Sequence, residues 1–522
     1  MNNESEYQYN RCISRGICSI NPTTAALQEV IILYLKQLAF YGLKLEELGV
    51  FDRRIYNLVL NTLSILSSNY EISTTNFLSI NSSFQIELPR IIKEYESRCT
   101  QSECEKLNTD LLLKDQTDIN EYIRYGEKEF YKRIQASSVD ILNLYRTLFL
   151  LTKSYSINIL TYESYGFEVI DEVSWILKIL NLQNTITNEK EELKQVILET
   201  SEKDRELMTQ IRSSQEKCYG KQNEYEVSFS TKKGKAVLVV GSNLRELEMI
   251  LESFQDTDID VYTHDNMMLA HTFPKFKEYK NLKGQYGQGM ENCLLDFSTF
   301  PGPIILTRNS LYNVENLYRG RLFTTDFAYS KGVIQIKNND FSEVIKSAQE
   351  ARGFKTGKIC ASEYIGFCFE SACKKIYDKL NNGDYTNIII VGTRGYSKEE
   401  NEYFQSFRKR VSENTLVISM FCCKEQNNII CFNAIYDELA LIKVYEYVVN
   451  NFSQNINVFF PICDRHTLSL IFSLSNRREN KLFVGTWNQM VLKPNILDEL
   501  TKEFGINRIT TPKQDLALLY NL

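Results

Sequence analysis

Apolar positions in about the first 230 residues recur at helical spacing. Asn21-Pro22-Thr23-Thr24 has the proline and hydroxyl residues of a helix start. Ala25 to Leu45 then carries Leu27, Ile31, Leu35, Leu38 and Ala39 on one face. Leu58 to Leu66 and Val139 to Leu151 repeat the spacing. Glu189 to Ile211 reads as a long charged helix with Leu193, Val196, Ile197 and Leu207 on one side. Glycine is scarce and strand-like alternation is rare, so this stretch predicts a helical bundle.

The period changes after Lys232-Lys233-Gly234-Lys235, a short basic linker. Ala236 to Val240 before Gly241 reads as a buried strand. Asn243, with Glu246 three residues on, reads as a capping box for a helix faced by Leu244, Leu247, Ile250 and Leu251. Ile259 to Tyr262, Pro303 to Leu306 and Val333 to Ile336 predict further strands. After Gly353 come strands at Asn387 to Val391, Leu416 to Met420, Val458 to Phe460 and Leu482 to Val484, with helices such as Leu439 to Val449 between them. Strand–helix alternation predicts parallel sheets. The expected fold class is therefore α and α/β. A helical-bundle domain over 1–234 precedes two Rossmann-like parallel α/β domains over 235–353 and 354–522. Open parallel sheets bind ligands beyond the carboxyl ends of their strands. That rule singles out Ser242, Thr263 to Asn266, Thr307 to Ser310, Thr393, Cys422 and Cys463 to Thr467.

Composition narrows the function classes. A net charge of −6 argues against a general nucleic-acid or anionic-membrane binder. No apolar run approaches the roughly 18 residues of a membrane span, and Met1 to Asn10 is too polar for a signal peptide. The 13 cysteines are odd in number and irregularly spaced, and no Cys-x-x-Cys occurs, so a disulfide framework is not expected. The 3 histidines, His264, His271 and His466, exclude a histidine-rich metal centre. A cytoplasmic, reduced protein is the expectation.

The strand ends are poor in catalytic motifs. Gly284-x-x-Gly287-x-Gly289 lacks the spacing and context of a dinucleotide fingerprint and reads as a turn. There is no phosphate-binding loop and no nucleophile elbow. His264 reads as a hydrogen-bonded structural residue. Cys422, Cys423 and Cys431 read either as thiolate ligands or as buried small hydrophobes. Cys99 with Cys104, and Cys368 with Cys373, read as packing residues.

Longer stretches carry a resemblance. They are Gly16-Ile17-Cys18 through Thr24-Ala25-Ala26-Leu27-Gln28 to Leu38-Ala39-Phe40-Tyr41, and Val237 to Gly241 with Leu244 to Glu248. Val261-Tyr262-Thr263-His264, Met268-Leu269-Ala270-His271 and Gly284-Gln285-Tyr286-Gly287 follow. Phe300 to Thr307, Arg321 to Thr325, Phe504-Gly505-Ile506 and Ile509-Thr510-Thr511 complete the set. Over nearly its whole length the chain resembles the hybrid-cluster protein family, also called prismane or hydroxylamine reductase, related in fold to carbon monoxide dehydrogenase.

The resemblance implies two iron–sulfur centres. One is a cubane-type cluster on four N-terminal cysteines. The other is an iron–sulfur–oxygen cluster held by a histidine, two glutamates and four cysteines, one of them persulfidated. Carried onto this chain, the histidine position is Ser242, the first glutamate Asn266 and the first cysteine Ser310. These three fall in stretches that match without a gap. The persulfide position is Thr393, or Arg394 if the gap moves by one. Cys422 occupies the next cysteine position and Cys431 the following one, while the second glutamate falls at Asp464 or Arg465. At the N-terminus, Cys18 and Cys12 match the fourth and third cysteines, and the other two have no counterpart. Serine and asparagine are poor iron ligands beside thiolate, imidazole and carboxylate.

Two readings follow. In the first, the chain is a cluster-free, non-catalytic relative without cofactor. It binds a small ligand or a partner, the latter a second copy of itself or an authentic hybrid-cluster protein. In the second, it is an iron–sulfur oxidoreductase with an altered centre. There Cys422, Cys423, Cys431 and Cys463, with His264 or His466, hold the metal, and hydroxylamine or nitric oxide is reduced as in the family. Neither reading involves nucleic acid or a membrane.

Overall fold

The computed structural model describes residues 22–67, 74–99, 104–107, 118–136, 138–182, 184, 190–287, 292–310, 316–327, 329, 331–383, 385–392, 398–421, 427–435, 437–461, 463, 465–477, 481–485 and 500–520. By compactness the chain falls into two units. One is Met1–Val196 with Ile305–Asp340, and the other is Ile197–Ile304 with Phe341–Leu522. The expected segments 1–234, 235–353 and 354–522 follow the type of secondary structure along the chain. Compactness groups the same residues differently.

Helices come first: α1 Pro22–Glu47, α2 Arg53–Ser67, α3 Thr74–Arg98, α4 Ile119–Ala136, α5 Val139–Ser164, α6 Ile170–Leu182 and α7 Lys190–Tyr219. Then follow β1 Tyr225–Ser228, β2 Lys235–Val240, α8 Leu244–Phe254, β3 Ile259–His264, β4 Leu282–Gln285, α9 Cys293–Thr299 and β5 Ile304–Leu306. Next are β6 Leu322–Thr324, β7 Val333–Gln335, α10 Ser342–Glu350, β8 Ser362–Ile365 and α11 Phe369–Asn382. The last stretch holds β9 Asn387–Val391, α12 Lys398–Arg408, β10 Thr415–Ser419, β11 Ile429–Cys431, α13 Glu438–Asn451, β12 Asn455–Phe460, α14 Arg465–Ser475, β13 Lys481–Val484, β14 Ile506–Arg508 and α15 Pro512–Tyr520. The fold class is thus α and α/β, helical first and then parallel sheets.

In the first unit α1 is the central helix. Leu27, Val30, Ile31, Tyr34, Leu35 and Leu38 are all essentially buried, a wider apolar surface than one amphipathic stripe. Helix α4 crosses it closely because Gly126 has no side chain. A Cβ there would lie 2.0 Å from the Ala26 carbonyl oxygen. Strands β5, β6 and β7 also belong to this unit, apart from Ile304. Thr325 N–H donates to Leu306 O, and β6 pairs with β7 in parallel.

The second unit holds the parallel strands β4-β3-β2 in that order. The chain then returns to the far side of β2, where Leu238 N–H donates to Pro303 O at 3.1 Å, so the order of connection reverses there. The same unit holds a six-stranded sheet ordered β11-β10-β9-β12-β13-β14, parallel throughout. Its order reverses between β9 and β12, the doubly wound arrangement. Ile388 to Val391 and Leu416 to Ile418 are buried because parallel strands are covered on both faces. On one face Phe404, Phe407, Phe459 and Phe483 form a core, with Phe459 and Phe483 stacked at 4.3 Å.

Several elements differ from expectation. Helix α5 runs on to Ser164. Gly284 sits inside strand β4 and not in a turn. Its φ of +156° and its approach to the Ser228 carbonyl admit no side chain. Strands β1 and β8 form an antiparallel pair, Tyr225 opposite Ile365, that no periodicity announced. Cys99 and Cys104, expected as packing residues, form a disulfide with Cα atoms 5.7 Å apart. Among the described residues no helix is long and apolar enough to cross a membrane.

Candidate functional site

Strand β2 is followed by Gly241, whose φ of +123° turns the chain sharply into Ser242 and Asn243. Asn243 Oδ1 caps α8, accepting from Arg245 N–H at 3.1 Å and Glu246 N–H at 3.2 Å. Ser242 is half-buried at this corner, and among the described residues its side chain has no hydrogen-bond partner.

Strand β3 ends at His264, fully buried. Its Nε2 lies 3.0 Å from Asp296 Oδ2, and its ring meets Phe297 edge-on at 5.3 Å. Gly287 leaves the room for that carboxylate, since a Cβ there would lie 2.1 Å from Asp296 Oδ2. Asp265 then takes a left-handed φ of +59°. With its amide oxygen turned toward Asp265, Gln285 accepts from Asp265 N–H at 3.1 Å and donates to Thr263 O at 3.1 Å. Thr263 Oγ1 also meets His271 Nε2 at 2.8 Å. Burial pushes the His271 pKa down to about 4, so this imidazole is neutral at pH 7. Both histidines are held by their neighbours as parts of the core. Asn266 follows in a 3-10 turn, half-buried, with no hydrogen-bonded partner for its amide among the described residues.

In the first unit, Ser310 closes the turn after β5. Its Oγ donates to Thr307 O at 2.7 Å and lies 3.2 Å from Thr307 Oγ1, and its N–H also reaches Thr307 O, at 3.0 Å. The residue before it, Asn309, is left-handed at φ +60°. Its N–H donates to Asp326 Oδ2 at 2.9 Å, and its side-chain amide donates to Ser64 O at 3.1 Å on α2. Thr307, Asn309 and Ser310 of this turn are buried. No local pattern along the chain announces the Asn309–Ser64 lock.

Of the other nominated positions, Cys12, Cys18, Thr393, Arg394, Cys422, Cys423 and Asp464 lie outside the described residues. Arg465 opens α14, and only its backbone is described; the same holds for His466. Cys431 ends β11, opposite Ser419 of β10, with its sulfur engaged in a disulfide. Cys463 is a buried free thiol after β12. Among the described residues no group of three His, Cys, Asp or Glu side chains stands close enough to hold a metal ion. The donors of Ser242, Asn266 and Ser310 are hydroxyl and amide groups, which iron binds poorly beside thiolate and carboxylate.

Comparison with known proteins gives a consistent likeness. Residues 8–438 match the model of the Prismane/CO dehydrogenase family, a span that takes in Ser242, Asn266, Ser310, Thr393, Cys422 and Cys431 and ends before Cys463 to Thr467. A hydroxylamine reductase of Methanocella arvoryzae is 24% identical, with 97% of each chain covered. One of Thermodesulfovibrio yellowstonii is 25% identical, with 98% of each covered. Among solved structures, an alpha subunit of acetyl-CoA synthase/carbon monoxide dehydrogenase is similar over 97% of this chain and 83% of that one. Its identity is 10% and its TM-score 0.47, too low for an argument to rest on.

Proposed function

This chain belongs to the Prismane/CO dehydrogenase family, and from that premise we propose that it is a divergent member without the hybrid iron–sulfur–oxygen cluster, acting as a non-catalytic binding or partner subunit. The observation that carries this reading is the state of Ser310. The hydroxyl stands where the family resemblance places a thiolate, and it is spent on the Thr307 carbonyl in a turn that Asn309 fastens to α2. Ser242 and Asn266 offer no better donors. The residues present do not fit the oxygen-bridged cluster, so no catalytic step is routed through it. The partner on this reading is a second copy of the chain or an authentic hybrid-cluster protein, met in the cytoplasm.

The second reading, an altered iron–sulfur centre that reduces hydroxylamine, draws on the similarity to hydroxylamine reductases and on the cysteines kept at 422 and 431. A Cys431 sulfur held in a disulfide must first be reduced to a free thiolate before it can ligate a metal. Anaerobic reconstitution with ferrous iron and sulfide separates the two. The proposal expects no stable visible chromophore and no hydroxylamine-dependent oxidation of a reduced viologen dye. A stable cluster with turnover would overturn it.

A further inference from the structure

The second compact unit contains a cavity of about 100 Å³, open to solvent on one side, whose lining shares no residue with the strand-end positions. Its deep side is a buried ion pair. Arg212 of α7 donates to Asp437 through Nη1 at 2.9 Å and Nη2 at 3.0 Å, with the side chains 8% and 1% exposed. Asp437 also caps α13, accepting from Ala440 N–H at 3.2 Å. Gln222 Oε1 accepts from Arg212 Nη1 at 2.7 Å. Two buried donors are left over: among the described residues, Arg212 Nε and Gln222 Nε2 have no acceptor. Native interiors rarely leave such groups unmet, so each calls for an acceptor from elsewhere.

The exposed rim supplies charges of both signs. Lys221 faces Glu370 at 3.4 Å, and Lys443 faces Glu216 at 3.6 Å. These pairs are long and solvated, so they are easily exchanged for a ligand. Phe367 and Phe369 add an aromatic wall. Cations and carboxylates balance around the cavity. A simple anion would meet the carboxylates, and a simple cation would meet Arg212 and the lysines.

We propose that this cavity binds a small zwitterion of the α-amino-acid class. The carboxylate of the ligand is received by the spare donors of Arg212 and Gln222 with Lys443. Its ammonium is received by Glu216 and Glu370 beside the phenyl rings. The site does not depend on the proposed loss of the cluster, and its test reads a different quantity.

The test uses the full chain. Thermal shift with each standard L-amino acid at about 5 mM identifies a binder, and calorimetric titration measures it against wild type, Lys443→Met and Gln222→Leu. Acetate and methylamine, each carrying half of the charge pattern, serve as comparison probes. The proposal expects at least one amino acid to bind, at least about tenfold weaker binding in both variants, and no comparable binding of either half. Lys443 is on the rim, so its variant keeps the fold even if Gln222→Leu does not; circular dichroism checks both. No binding by any amino acid, unchanged affinity in Lys443→Met, or acetate binding as tightly as the best amino acid would each overturn it.

Discussion

The hydroxyl of Ser310 donates to the carbonyl of Thr307 at 2.7 Å, and this bond closes the turn that follows β5. A side chain used this way belongs to the folded framework. Ser310→Ala removes the bond and leaves a buried carbonyl with fewer partners, at a cost of about 1 kcal/mol. Urea unfolding of the two proteins measures it. A change within a few tenths of a kcal/mol would mean that the hydroxyl contributes nothing to the turn.

Arg212 and Asp437 form a buried pair that joins α7 to the start of α13. Burial opposes the charge on Arg212, but the facing Asp437 carboxylate overcomes it and raises the guanidinium pKa. Asp437→Ala strands that charge and uncaps the helix, so the expected loss is about 3–5 kcal/mol. The double variant Arg212→Met, Asp437→Leu recovers most of it, because replacing both charges removes the desolvation cost as well. A single variant as stable as wild type in urea would contradict the pairing.

Stability depends on pH through His271. Folding depresses its pKa from 6.5 to about 4 by desolvation. Between those values the unfolded chain takes up a proton that the folded chain refuses. The contribution is therefore complete above the unfolded pKa and is lost as pH falls toward the folded one, roughly 3 kcal/mol in all. His271→Asn has no such proton to refuse. Its stability falls less between pH 7 and pH 4 than that of wild type, and parallel curves would show that His271 titrates normally.

Gly126 lets α4 cross α1, and a Cβ there would meet the Ala26 carbonyl at 2.0 Å from backbone atoms that cannot swing aside. Gly126→Ala should cost about 3 kcal/mol or more despite the better helix propensity of alanine. Denaturant melts give the number. A gain in stability would place the two helices further apart.

The sequence made some of this legible and left the rest hidden for identifiable reasons. The runs Ala236 to Val240 and Asn387 to Val391 announce buried parallel strands because both faces are covered, and Asn243 announces its helix through its own side chain. Strands β1, β4 and β8 carry polar, partly exposed residues, and only their partners hold them extended. Ser242, Asn266 and Ser310 stand out along the chain because the strands before them are legible. The bond of Asn309 to Ser64 spans 245 positions and that of Arg212 to Asp437 spans 225, so neither leaves a local pattern. The disulfide between Cys99 and Cys104 is local, yet five-residue spacing at a helix end carries no signal of its own.

Iron and acid-labile sulfide in protein purified without oxygen decide whether the chain carries the hybrid cluster. A chain without it holds less than about 0.2 iron and shows no visible absorption, given that every iron–sulfur cluster brings at least two metal ions and a brown colour. Two or more iron per chain, with matching sulfide, would contradict the proposed loss of the cluster.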